Sequence, residues 1–350
     1  METQEISRIL LDQADRLFAQ HLTREARAAA ETGAWPENLW QAVAAAGLPL
    51  AMVPETAGGA GLAPGDALRL VRRSGFHALP LPLAETMLGN ALWVATGEKP
   101  LAQPVSFSAT PPTGLRGAGD NAILDGDAGA VPWGDVAWLL VVAEDAAGGR
   151  HLALVAPPEA ALPQRRNLAF EPRPKRHLAG VRPVALRPAP RLAAPGLRPL
   201  GAILRAQQMV GAMERALDYA LLYANERQQF GRPIGKFQAV QHMLASAAGQ
   251  FAAATAAADQ ALEAWGGADV EFAAALAKAR VGEAAGKIAE IVHQVHGAMG
   301  FTQEHPLHFL TRRLWSWRDE CGNEAEWQRV IGARVMQAGG EALWPMLAGA

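Results

Sequence analysis

The chain is short of cysteine, of surplus charge and of long apolar runs, and each shortage removes a class of explanation. A single cysteine, Cys321, excludes an internal disulfide framework and a CxxC metal site. With 32 Lys and Arg against 34 Asp and Glu, the formal net charge of −2 gives no global attraction to nucleic acid or to an anionic membrane. A membrane-spanning helix needs about 18 or more consecutive apolar residues; the apolar run Val136 to Ala143 is the length of a buried strand. The acidic start, Met1-Glu2-Thr3-Gln4-Glu5, lacks the basic opening of a secretory signal. The expectation is a soluble, cytoplasmic protein with a reduced thiol.

Half of the 350 residues are apolar and 19% are charged, ordinary values for a globular protein with room for a sizeable core. Three regions differ in texture. In residues 1–95, Ile6, Ile9, Leu10, Ala14, Leu17 and Phe18 recur at helical spacing, and Pro54 with Gly58, Gly59 and Gly61 forces one loop. Residues 96–198 are rich in Pro and Gly. Ala122 to Asp127, Val136 to Ala143 and His151 to Ala156 read as strands there, while ten prolines from Pro157 to Pro199 predict an extended edge or linker. Residues 199–350 are helical, with long alanine-rich stretches at about 237–265 and 271–296 that end at Gly266 and Gly297. Helices, then strands, then helices predict an α+β protein: an N-terminal helical domain, a small middle β domain and a C-terminal helical bundle.

Two segments carry possible chemistry. Glu226 to His242 reads as a helix end, a Gly-Pro turn and a new helix near Lys236. Such a turn offers free backbone N–H groups, Arg227 adds a guanidinium fork suited to pyrophosphate, and Gln238 can donate and accept. Gln294 to Pro306 contains Gly297 and Gly300, which permit close backbone approach to a phosphate. The plainer alternatives are a capped helical hairpin with a solvated arginine, and a simple helix C-cap. Arg312 to Arg318 mixes basic and aromatic residues; it reads as an amphipathic helix with Trp inside and Arg outside rather than a single-strand nucleic-acid site. His242, His293 and His296 lack a carboxylate or cysteine at ligand spacing, so no metal is expected.

Taken in order, these segments resemble the acyl-CoA dehydrogenase family. Arg227-Gln228-Gln229-Phe230-Gly231, with Pro233-Ile234 and Phe237-Gln238, is similar to the family's R-x-x-F-G-x-P-I-x-x-F-Q signature. Gln294 to Gly300 is similar to its Q-x-x-G-G-x-G loop, with Ala298 in place of the second glycine, and Gly47-Leu48, Val53-Pro54-Glu55 and Gly58 to Gly61 resemble its N-terminal element. The resemblance implies the family fold, with a middle β-barrel and a C-terminal four-helix bundle. It also implies an oligomer, a dimer or tetramer, that binds FAD partly across a subunit interface. Arg227, Gln229 and Phe230 would reach a neighbouring subunit's FAD with Gln238 beside them, and Gln294, Gly297 and Ala298 would line its adenosine–pyrophosphate end. The implied reaction is α,β-oxidation of an acyl-CoA thioester to the 2-enoyl-CoA, with a glutamate base and an electron-transfer flavoprotein as acceptor.

The chain departs from the family in two places. Where the base belongs, the stretch is Trp317 to Arg329; ungapped counting puts Gly322 or Cys321 at the glutamate position, and Glu320, one residue away, is the candidate base. The alternative family position falls on Gly201. The middle region also lacks the family's T-E-P-x-A-G-S-D-like segment. Short members of this kind partner full-length subunits in heterotetramers acting on bulky acyl-CoA substrates such as steroid side chains. Two functions are therefore open: a complete dehydrogenase, or a non-catalytic or half-catalytic subunit that completes a partner's FAD site.

Overall fold

A computed structural model describes residues 2–190, 192 and 196–348. Five helices open the chain: α1 (Glu2–His21), α2 (Arg24–Thr32), α3 (Glu37–Ala45), α4 (Pro64–Phe76) and α5 (Leu83–Val94). Of the stripe read from sequence in α1, Ala14 and Phe18 are fully buried, while Ile9 is exposed. Thr23 starts α2 by accepting the Ala26 N–H at 3.1 Å, and the glycine-rich break folds as a short 3-10 turn ending at Gly58.

Eight strands follow: β1 (Val105–Phe107), β2 (Thr113–Arg116), β3 (Ile123–Asp125), β4 (Asp127–Ala130), β5 (Trp138–Glu144), β6 (Arg150–Val155), β7 (Lys175–His177) and β8 (Ala185–Pro188). The apolar run in β5 makes it the centre of the sheet. It pairs antiparallel with β6, and β1 and β2 lie parallel to it, beside residues 138–140 and 143–144. β3 extends the sheet beyond β2, and the proline-flanked β8 forms the edge beyond β6, as a chain short of N–H donors requires. β4 and β7 make a separate ladder, tied to β3 through the Leu124 N–H donating to Val181 O at 2.8 Å. Leu124, Leu139, Val141, Val155 and Leu178 form a core of their own here.

The remaining helices are α6 (Arg198–Glu226), α7 (Gln238–Glu263), α8 (Val270–His296), α9 (Leu307–Asp319), α10 (Glu324–Ala338) and α11 (Leu343–Ala348). α6 is the hub: 19 of its residues are buried, and α4, α7, α8 and α9 all pack on it. α4 and α6 touch backbone to backbone. A Cβ on Gly75 would stand 1.9 Å from Gln208 O, and one on Gly211 would stand 1.9 Å from Arg72 O, so only glycine allows this approach. α6 therefore carries one end of the bundle against the strands and the other out to the Gly-Pro turn.

Candidate functional site

A cleft of about 560 Å³ opens between the strands and the helices, bordered by Phe107, Pro132, Asn167, Arg173, Glu320 and Cys321. Glu320 closes α9, and residues 320–323 turn back into α10, where Asn323 Oδ1 accepts the Glu326 N–H at 3.0 Å. This turn is held from beneath. Lys278 Nζ donates to Arg318 O at 2.6 Å and Gly322 O at 2.8 Å, and Trp327 Nε1 donates to Cys321 O at 3.1 Å. Burial pushes the Lys278 ammonium down to about 8. Cys321 takes a φ of 58°, a left-handed conformation uncommon for a residue with a side chain.

Gly201 and Cys321, two of the positions at which the resemblance could place a base, lie together, and neither is an acid. A Cβ on Gly201 would lie 2.7 Å from Cys321 Sγ and 2.9 Å from the Phe107 ring, so Gly201 and Cys321 face each other at the cleft floor. Burial raises the Cys321 thiol above its ordinary pKa, which favours the protonated form.

Glu320 reaches the cleft but is tied down. It accepts from Arg173 Nε at 2.8 Å, Arg205 Nε at 2.7 Å and Asn167 Nδ2 at 3.0 Å, with only 17% of its side chain exposed. Burial alone would raise its pKa; the guanidiniums of Arg173 and Arg205 override that and hold it at about 2. The two arginines are themselves neutralised. Arg205 also pairs with Glu85 at 2.5 Å, and Arg173 pairs with Glu171, which forms a further ion pair with Arg313 at 3.1 Å. Three guanidiniums and three carboxylates thus form one network, all but Glu320 nearly inaccessible. A carboxylate in such a network is a weak proton acceptor. The other carboxylate bordering the cleft, Asp319, is exposed and solvated.

The network also corrects two local readings. Local spacing offers Arg318 and Arg313 as partners for Glu320, but Arg318 pairs with Glu324, and the true partners lie 115 and 147 residues away. Arg313 is not on the solvent face of its helix but is 3% exposed, beside Trp317 at 2%.

The residues implied to meet a flavin gather elsewhere, on the outer surface. Arg227 caps α6. Gln228–Gln229 and Arg232–Pro233 pair as a two-residue hairpin, with Phe230 (φ 51°) and Gly231 (φ 77°) at its tip. Phe230 is 92% exposed, a large apolar ring in a strained conformation with only an edge contact to Phe237, 6.1 Å away. Gln238 opens α7, and Gln229, Gln238, Gln294, Gly297 and Ala298 are all exposed. The two segments meet through the stacked rings of Tyr223 and His296, 4.8 Å apart. Gly297 has φ 58° and ψ −139°, a conformation open essentially only to glycine, and nothing lies within 4 Å of where its Cβ would be. His293 and His296 are buried, and among the described residues no three His, Cys, Asp or Glu side chains are grouped to hold a metal ion. Among the same residues no helix is long and apolar enough to cross a membrane.

Comparison with known proteins agrees with this architecture. Residues 4–95 match the acyl-CoA dehydrogenase N-terminal domain, and residues 200–336 match the acyl-CoA dehydrogenase C-terminal domain. Acyl-CoA dehydrogenase IpdE2 of Mycobacterium tuberculosis is 32% identical over 320 residues, 89% of this chain and 92% of that protein. A solved variant of the Tcur3481-Tcur3483 steroid ACAD superposes with a TM-score of 0.85 at 27% identity, covering 96% of this chain and 99% of that one. The ChsE4-ChsE5 complex from Mycobacterium tuberculosis follows the same fold, with a TM-score of 0.80 at 24% identity over 94% and 96% of the two chains. By its matched domains and its near-full-length relatives, the chain belongs to the acyl-CoA dehydrogenase family of oxidoreductases.

Proposed function

We propose that this chain is the half-catalytic subunit of a heteromeric, FAD-dependent acyl-CoA dehydrogenase, lending one side of a flavin site to a longer partner that supplies the base. The observation that carries this reading is Glu320: the acid nearest the family's base position is spent on Arg173 and Arg205. Gly201 and Cys321 leave no acid to replace it. The two relatives named as pairs, Tcur3481-Tcur3483 and ChsE4-ChsE5, support assembly with an unlike subunit.

The surface residues fit part of a flavin dinucleotide. The Arg227 guanidinium is exposed, and at the Gly297 turn a phosphate can approach the backbone closely. Gln229, Gln238 and Gln294 offer donors and acceptors for ribose or base edges, and Ala298 leaves the loop low. Phe230 gains a partner only when a second surface covers it. FAD would supply the hydride acceptor for oxidation of the α,β bond of an acyl-CoA thioester, and an electron-transfer flavoprotein would be the acceptor. Arg227 would supply positive charge to the pyrophosphate and Gly297 close backbone approach, and the cleft at Phe107 and Cys321 would border the acyl chain.

The test is reconstitution with a longer family member whose own glutamate is free, measuring flavin per complex and turnover with an acyl-CoA. Arg227→Ala in this chain lowers the flavin content, while Glu320→Gln leaves turnover per flavin intact. Loss of turnover with full flavin in Glu320→Gln would instead make this chain the one that supplies the base. The solvated Asp319 is checked by Asp319→Asn, for which no change in turnover is expected.

A further inference from the structure

A second cavity, of about 320 Å³, opens where the α1–α2 corner, the end of α4, the middle of α6 and the segment entering α9 meet. It shares no residue with the cleft at Glu320 and none with the flavin-facing set. Three arginines border it: Arg24, Arg27 and Arg215.

Their bonding differs from that of the arginines around Glu320. Arg27 is half-buried, and its hydrogen bonds run to two backbone carbonyls, His77 O at 2.6 Å and Leu22 O at 3.4 Å. Among the described residues no carboxylate is hydrogen-bonded to it. Burial, with the like charges of Arg313 and Arg215, pushes its pKa down to about 10. Arg215 is pinned over Tyr219 at 4.5 Å and Phe76 at 5.0 Å, and the carboxylate it meets, Asp218 on the next turn, is 3.9 Å away. Stacking of this kind fixes the plane of a guanidinium and leaves its fork edge free. Arg24 stands exposed at the start of α2. The one acid bordering the cavity, Glu304, is fully exposed and bonded to Thr302 and its own backbone, and His77 is occupied by Asp15 at 2.9 Å.

A half-buried cation without a counter-ion is costly, and a fold keeps one where a ligand brings the missing charge. Glu304 at the rim and Asp218 against Arg215 offset two of the three arginines, which leaves one surplus positive charge. We propose that this cavity is a phosphate-binding site, taking the dianionic phosphate group of free orthophosphate or of a small phosphomonoester. The surplus charge attracts an anion, and guanidinium forks set on different elements suit a tetrahedral oxyanion. The site is independent of the flavin arms and stands whether or not the proposed subunit role does.

The experiment is calorimetric titration of the full chain with inorganic phosphate, with adenosine 3′-monophosphate and with acetate, at constant ionic strength. Saturable one-site binding of phosphate is expected, about tenfold or more weaker in Arg27→Gln and in Arg215→Gln. Arg227→Gln, in the flavin-facing turn, is expected to leave it unchanged, so failure here and failure of the flavin reading are told apart. Should Arg27→Gln not fold, the exposed Arg24→Gln gives the same readout. Tighter binding of the nucleotide assigns the site to a phosphomonoester, and equal binding assigns it to free phosphate. The proposal is overturned by no saturation below about 10 mM phosphate, weaker than even two charge-assisted contacts allow. It is overturned equally by acetate binding as well as phosphate, or by unchanged affinity in the arginine variants.

Discussion

The cleft at Glu320 and the surface at Arg227 are the two places where a dehydrogenase would show its chemistry, and they are built in opposite ways. In the network beneath the cleft each guanidinium meets a carboxylate: Arg173, Arg205 and Arg313 are answered by Glu85, Glu171 and Glu320. On the surface Arg227, Gln229, Phe230, Gln238, Gln294, Gly297 and Ala298 are all exposed. A closed, balanced network is a structural solution, since its charges are stabilised by one another and have no affinity left for a substrate. An exposed set with a strained apolar tip is unfinished until something covers it. On the proposed reading, the candidate base Glu320 is withdrawn into the scaffold and the residues proposed to meet a flavin are presented outward.

The largest effect that would break this contrast is in the network itself. Glu320→Ala leaves Arg173 and Arg205 facing an empty position and is expected to cost about 3–5 kcal/mol in urea unfolding. A loss below about 1 kcal/mol, the range of a surface pair, would mean that Glu320 is free enough to act as a base. Next in size is the cleft floor. Gly201→Ala drives a methyl against Cys321 Sγ and Phe107, costing about 1–3 kcal/mol; adding Cys321→Gly should recover part of it, because the two sites touch.

Acid should undo the fold in two stages. Burial, with His296 and His308 nearby, lowers His305 from 6.5 to about 4. The unfolded chain therefore takes up that proton first, and stability that is full above pH 6.5 declines as pH falls toward 4. Glu320 adds a second decline, with stability full above pH 4.5 and lost toward pH 2. Thermal unfolding scanned over this range checks both, and a flat profile from pH 6.5 to 4.5 would contradict the buried-histidine stage. The smallest effect on stability belongs to the surface. Phe230→Ala should change it by less than about 0.5 kcal/mol yet weaken assembly with a flavin-bearing partner, read by gel filtration.

How far the sequence carried differs between the same two regions. The turn at Arg227 and the loop at Gly297 were legible because glycine, proline and a capped helix end act locally. The observed α7 (Gln238–Glu263) and α8 (Val270–His296) fall within a few residues of the bounds read from alanine-rich periodicity. β1, β2, β7 and β8, at three or four residues each, are too short to show alternation, and only their neighbours in the sheet define them. The cleft was least legible. Glu320 suggested an acid near the right place, but its partners come from the proline-rich stretch at Arg173 and from Arg205 on α6, and no local pattern announces such pairings. Arg205, one turn after Gly201, was the one available hint.

The measurement that bears most directly on the account is the visible spectrum of this chain purified alone, incubated with FAD and passed through gel filtration. The account predicts a folded protein that keeps little or no flavin by itself and acquires a stable flavin band only with its longer partner, and then only while Arg227 is present. A retained flavin band in the isolated chain that bleaches on addition of an acyl-CoA would contradict it.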